Sequence, residues 1–156
     1  MAYPLLYGEF ELAIDDKNRL LIPAEVRRRI DPDRDGIAFF MKVGTNGVPW
    51  MYPERYYEEL AMRDVPELVA EEDVWAMDRL NFSLASRLEW DKQGRIVIPD
   101  RTLKQTSIGK EVTLTGNRDH LELWNRKSWD QYKEVLATRR SELEFKARQA
   151  RVSQGG

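Results

Sequence analysis

The 156 residues are 42% apolar and include no cysteine, which predicts one or two small globular domains and excludes disulfides and thiolate metal sites. The opening "MAYPLLYGEF" has no basic segment leading into a long apolar one, and no stretch approaches a membrane span, so a cytoplasmic setting away from membranes is expected. The net charge of −2 argues against a uniformly basic nucleic-acid binder, yet five basic residues and one acid lie between Lys17 and Arg29, four and one between Lys92 and Lys104, and eight acids against two bases between Glu54 and Asp73. Screening is substantial only beyond roughly 8 Å at physiological salt, so an acidic chain can still present basic faces.

In chain order, the first strong signal is the reversal "IDDKNRLLIPAE". Asp15 opens a turn in which its carboxylate can accept backbone N–H groups. Asn18 tolerates a left-handed backbone, and Arg19 starts the returning apolar run within reach of Asp15. After "PAEVRRRI" come two strand-like runs, "IAFFMKV" and "VPWMY". They face each other across Gly44-Thr45-Asn46-Gly47, residue types that accept positive φ in hairpin links. Pro53 suits a first helical position, and Tyr57 and Leu60 form an i,i+3 apolar pair in the helix it opens. From residue 63 to 83 the chain reads as a helical linker, with Asp64 as cap, Pro66 just inside, and Trp75 to Phe82 supplying apolar packing.

The second half restates the first. Asp15-x-x-x-Arg19-x-x-Ile22-Pro23 recurs 76 residues on as Asp91-x-x-x-Arg95-x-x-Ile98-Pro99, with Gly94 where the first copy has Asn18. "PDRTLKQTSI" follows, then "EVTLT" and "HLELW" joined through Gly116-Asn117-Arg118-Asp119. Asn125 suits an N-cap, and Trp129, Tyr132 and Leu136 make the apolar stripe of a closing helix. From Tyr57 to Trp129 the offset is 72, so the first half holds four additional residues, around "IDPDRDG" or in its hairpin link. The expected organisation is a module at 5–62, a linker at 63–83, a second module at 84–140 and a basic tail at 141–156 whose end, "RQARVSQGG", is frayed.

In a single copy, an Asp–Arg pair most often does no more than hold a turn closed. Here Lys17, Arg19, Arg27, Arg28 and Arg29 cluster in one half, and Lys92, Arg95, Arg101 and Lys104 in the other. Like charges repel, and a multivalent anion such as a nucleic-acid backbone resolves that repulsion.

Together, the repeated D-x-x-x-R motif, the "GRIVIP" strand, the "LELW" strand with its following helix and the intervening "LNFSLAS" resemble the MraZ family of bacterial transcriptional regulators over roughly residues 7 to 140. The resemblance implies an α+β, β-rich fold of two tandem AbrB-like swapped-hairpin modules, forming an intrachain pseudo-dimer β-barrel with flanking short helices. It also implies a ring-shaped, nucleoid-associated homo-oligomer. Such a ring binds double-stranded DNA at direct repeats in the promoter of the division and cell-wall gene cluster, with repression the expected sign. In the family the motif contacts DNA, which carries over to Asp15, Arg19, Asp91 and Arg95. Asn18 departs from the family glycine. The planar forks of Arg19 and Arg95 suit base edges or phosphates. Asp15 and Asp91 would orient them, because a carboxylate facing phosphate is repelled, and Lys17, Lys92, Arg27, Arg28 and Arg101 would contact phosphates.

Two rival readings follow from other residues. For an enzyme, the single histidine, His120, sits at a hairpin shoulder and is expected to face solvent, and Glu71-Glu72-Asp73 reads as a solvated helix face. Phosphate-loop and zinc-protease motifs are missing, so no catalysis, cofactor, metal ion or small-molecule substrate is expected. The second rival is an antitoxin-like or other protein-binding module using the amphipathic end "WDQYKEVLATRRSELEFKARQA", although such a stripe more often packs on its own core. Trp50, Tyr52, Trp124 and Trp129 are expected in the core or in subunit contacts. Trp90, beside the second turn, is open between packing and ligand contact.

Overall fold

The computed structural model describes residues 2–63 and 71–155 and divides into two compact units, Met1–Asn125 and Arg126–Gly156. The first unit is α+β and rich in strands. It runs β1 (Glu9–Ala13), β2 (Arg19–Leu21), α1 (Ala24–Arg27), α2 (Pro32–Asp35), β3 (Ala38–Val43), β4 (Pro49–Pro53), α3 (Glu54–Arg63), α4 (Glu72–Ser83), β5 (Ser86–Glu89), β6 (Arg95–Val97), α5 (Asp100–Thr106), β7 (Glu111–Gly116) and β8 (Leu121–Asn125).

Six strands pair antiparallel in the order β1-β7-β8-β4-β3-β5, and β2 pairs with β6 in a separate ribbon. Exchanging the halves, β1 for β5, β3 for β7 and β4 for β8, returns the same order. Each edge strand is lent by the opposite half: Phe10 of β1 lies against Leu114 of β7, and Leu88 of β5 against Phe39 of β3. Because β1 and β5 end the order, no pairing among the described strands closes it into the barrel expected from the resemblance.

One apolar cluster joins both ladders. Leu20, Ile22, Ile96 and Ile98 from the ribbon and its continuation meet Phe39, Met41, Met51, Leu114, Leu121 and Leu123 from the sheet. Burying each such side chain contributes about 1.5–3 kcal/mol, so the ribbon is anchored from behind by its inward residues.

The four additional residues of the first half fall in both expected places. The offset is 76 from Arg19 to Arg95, 73 from Ala38 to Glu111 and 72 from Pro49 to Leu121, so three lie at α2 and one in the hairpin link. At α2, Asp31 caps the turn by accepting the Asp33 N–H at 3.0 Å, and Asp35 accepts the Asp31 N–H at 2.8 Å. Pro53 is the last residue of β4 rather than the first of α3, which begins at Glu54. It therefore occupies the place that Asn125 takes before the second half's helix.

The linker differs from expectation. Asp64 and Pro66 lie outside the described residues. On α4, Trp75 is half-buried while Val74, Met77, Leu80 and Phe82 are exposed, so most of the predicted apolar packing is not made. Glu71, Glu72 and Asp73 are exposed as expected, and Glu72 pairs with Arg79 at 2.6 Å.

The second unit consists of α6 (Arg126–Thr138) and α7 (Arg140–Gln154). The end expected to fray is helical through Gln154. Alanine, arginine and glutamate favour helix, and Glu142 receives hydrogen bonds from Arg139 and Lys146, which hold its carboxyl down at about 2. No described helix is long and apolar enough to cross a membrane.

Candidate nucleic-acid interface

Both reversals are built from the same atoms. In the first, Asp15 Oδ1 accepts the backbone N–H groups of Lys17 and Arg19, both at 2.9 Å, and Oδ2 accepts Arg19 Nε at 2.6 Å. In the second, Asp91 Oδ1 accepts the N–H groups of Gln93 and Arg95, again at 2.9 Å, and Oδ2 accepts Arg95 Nε at 3.1 Å. The N–H of the following arginine is the foremost cause that holds each carboxyl below the ordinary aspartate range. The turn residue before each arginine is left-handed, with φ 60° at Asn18 and 83° at Gly94. Asparagine thus reproduces the turn that glycine makes, as expected for a residue tolerant of that region.

The turns are also tied to each other, which the spacing did not reveal. Ile22 N–H donates to Gly94 O and Ile98 N–H to Asn18 O, both at 2.8 Å. Between these ties the ribbon is in register, with Arg19 opposite Val97, Leu20 opposite Ile96 and Leu21 opposite Arg95. Antiparallel pairing places the two turns at opposite ends of the ribbon, about 10 Å apart for three residues at ~3.4 Å each. Period-two alternation buries Leu20 and Ile96 completely and turns Arg19, Leu21, Arg95 and Val97 to the other face. The side chains of Arg19 and Arg95 are 31% and 30% exposed. Neither is sealed in, and each is held by its aspartate through Nε, with Arg95 Nη2 also donating to Gln93 Oε1 at 2.7 Å.

Of the other predicted residues, Lys17, Lys92, Arg28 and Arg101 are exposed, and Arg101 Nη2 donates to Ser86 Oγ of β5 at 3.3 Å. Arg27 is half-buried: its Nε donates to Ile22 O at 3.0 Å, and its guanidinium lies so close over Gly94 that a Cβ there would come within 2.5 Å of Nε. The matching position in the second half is Leu103. Arg29, whose guanidinium stands 3.6 Å from the Tyr7 ring centroid, braces the N-terminal segment instead. Lys104 pairs with Asp100 at 2.8 Å. Trp90 packs on the core with its ring 5.4 Å from that of Phe39, which decides its role as packing.

His120 does not face solvent. Its side chain is 8% exposed, with Nδ1 at 2.8 Å from Asp119 and Nε2 at 2.8 Å from Glu122. Its ring stacks on Trp50 from the other half at 4.2 Å. Tyr56 OH donates to Asp119, and Asn117, Trp124 and Asn46 donate to Glu122. Burial works against the imidazolium, but its hydrogen bonds to the Glu122 and Asp119 carboxylates outweigh it and raise the pKa. This network joins β4 and β8 across the two halves, and among the described residues no group of three His, Cys, Asp or Glu is arranged to hold a metal ion. The unpaired look of a lone histidine in the sequence hid it. The D-H-x-E spacing at 119–122 was the available signal.

A family model described as "MraZ protein, putative antitoxin-like" matches residues 82–152. A "Transcriptional regulator MraZ" from Heliobacterium modesticaldum is 32% identical over 133 residues, covering 85% of this chain and 90% of the relative. The chain belongs to the MraZ family. Two further MraZ regulators match over similar lengths: that of Mycoplasmopsis pulmonis is 32% identical over 94% of this chain and 97% of its own, and that of Moorella thermoacetica 33% over 82% and 86%. These MraZ relatives are named as regulators, not as enzymes.

Proposed function

We propose that this chain is a sequence-specific transcriptional regulator whose β2–β6 ribbon binds double-stranded DNA. The observation that carries the reading is the pair of guanidinium groups, each pre-oriented by its own aspartate, on the outer face of a two-stranded antiparallel ribbon. A major groove about 12 Å wide admits such a ribbon. Arg19 and Arg95 reach the duplex, Asp15 and Asp91 set their direction, and Lys17, Lys92, Arg27, Arg28 and Arg101 contact phosphates. The reciprocal strand pairing supports reading residues 5–62 and 84–140 as swapped-hairpin AbrB-like modules in an intrachain pseudo-dimer around one core, with 63–83 as linker and 141–156 as a tail.

The two ends of the ribbon are not equivalent. Lys17 stands where the second turn has Gln93, and Asp16 where it has Lys92; Gln93 Oε1 accepts Arg95 Nη2 at 2.7 Å. Unlike ends favour a box without internal symmetry, repeated head to tail. A ring of copies would then engage successive boxes and multiply a small footprint through effective concentration. The promoter of the division and cell-wall gene cluster is the proposed target, with repression by occupancy, in the cytoplasm at the nucleoid.

The test is a gel shift with the DNA upstream of the protein's own gene over a salt series. The Arg19→Ala/Arg95→Ala double variant is expected to lose binding with an unchanged circular dichroism spectrum, since each bidentate base contact supplies about 1–3 kcal/mol. Normal binding by a folded double variant rejects the assignment. A second, antitoxin-like reading is favoured by exposed apolar residues on the last two helices, Val135, Phe145 and Val152. Co-purification of a stoichiometric small protein would support it.

A further inference from the structure

The DNA-binding reading uses two of the four residues on the outer face of the ribbon. The other two are apolar and uncovered: Leu21 is 47% exposed and Val97 58%. The register sets Val97 directly across from Arg19 and Leu21 directly across from Arg95, with Cβ atoms about 5 Å apart in such pairs. Strand alternation makes this arrangement obligatory, because the intervening Leu20 and Ile96 are fully buried and fix which face looks out.

An exposed aliphatic pair on a short ribbon ordinarily invites association with another strand or another copy. Here it is flanked at both ends by an arginine countered by its own aspartate and by the exposed Lys17 and Lys92. The surroundings suit an anionic partner that also offers an apolar group at short range. Duplex DNA does so in the major groove, where phosphates line the walls and, among the four bases, thymine presents a methyl group on the floor.

We propose that Leu21 and Val97 are specificity-determining residues that read thymine 5-methyl groups next to the positions contacted by Arg95 and Arg19. The inference rests on the DNA-binding reading and adds to it the chemistry of the neighbouring bases. It assigns the ribbon a mixed face, in which guanidinium forks take hydrogen-bond acceptors and aliphatic groups take methyls.

The probe is the upstream DNA amplified with either thymidine or deoxyuridine triphosphate, so that the two duplexes share sequence and phosphates and differ in the methyls. The wild-type protein is expected to bind the uracil duplex about fourfold more weakly for each methyl contacted. A Leu21→Ala/Val97→Ala variant should bind the thymine duplex more weakly and no longer distinguish the two. Val97→Thr, which keeps the β-branched shape but replaces a methyl with a hydroxyl, should lower the ratio by itself. Equal wild-type affinity for both duplexes overturns the inference while leaving the DNA-binding reading intact. So does a double variant that keeps the wild-type preference, or one whose only change is a smaller assembly by light scattering. If the wild type shifts neither duplex, the DNA-binding reading itself falls, and this inference with it.

Discussion

Replacing His120 with alanine removes the centre of the buried network that joins the two hairpins. The side chains of His120 and Glu122 are 8% and 7% exposed, so solvent screens their interaction little. Removing one partner of a buried charged pair typically costs about 3–5 kcal/mol. Loss of the stack on Trp50 at 4.2 Å adds about 0.5–1.5 kcal/mol. Working the other way, Asp119 keeps the Tyr56 hydroxyl and Glu122 keeps Asn117 and Trp124. The net expectation is therefore near the bottom of the range, about 3 kcal/mol, which lowers a urea midpoint by roughly 1–2 M for a slope near 2 kcal/mol/M.

The pH dependence gives the sharper reading. The folded His120 pKa is raised, so its contribution is fully present below the ordinary histidine value and is lost as pH rises through the raised one. Asp119 and Glu122 are lowered, because hydrogen bonds from His120 and its neighbours outweigh desolvation; their contribution is present above the ordinary carboxylate range and is lost on acidification. Urea unfolding followed by tryptophan fluorescence at pH 5.5, 7 and 9 should show the wild type losing stability towards pH 9 and His120→Ala lacking that alkaline loss. Equal midpoints for the two proteins, or a wild type equally stable at all three pH values, would refute the ion network.

Gly94→Ala should destabilise the fold by about 1–2 kcal/mol, since φ is 83° and an L-residue is disfavoured there. Gly94→Asn should cost less, because asparagine tolerates the left-handed backbone as Asn18 does in the equivalent turn, while the crowding against Arg27 is common to both variants; equal costs for the two would discount the backbone argument. Lys17→Ala and Lys92→Ala should weaken binding alike on all sequences, each flattening the slope of log affinity against log salt by about 0.9. An unchanged slope in a salt-series gel shift would remove that lysine from the phosphate contacts. Asp15 and Asp91, both with lowered pKa, should keep their arginines oriented down to pH 5, so gel shifts at pH 5 and pH 7 should give the same operator affinity, and a marked loss at pH 5 would count against the role given to the two carboxylates.

The amino-acid sequence by itself determined the parts whose partners lie within a few residues. The Asp15–Arg19 and Asp91–Arg95 turns, the left-handed Asn18 and Gly94 and the hairpin links follow from short-range hydrogen bonds and backbone preference, so they are legible from spacing; the closing helices are legible too, but Pro53 ends β4 and the Asn125 amide, expected as an N-cap, bonds to Gly109 and Ser107 instead. Only the tertiary structure decided what each half lends the other: β1 on β7, β5 on β3, β2 on β6, and the ties from Ile22 to Gly94 and from Ile98 to Asn18. It alone decided that His120 lies between Asp119 and Glu122 under Trp50, that Arg27 covers Gly94, and that α4 leaves Met77, Leu80 and Phe82 in the open. Periodicity states which face of an element is apolar, but the surface that covers that face comes from residues dozens of positions away. No local pattern encodes that distance.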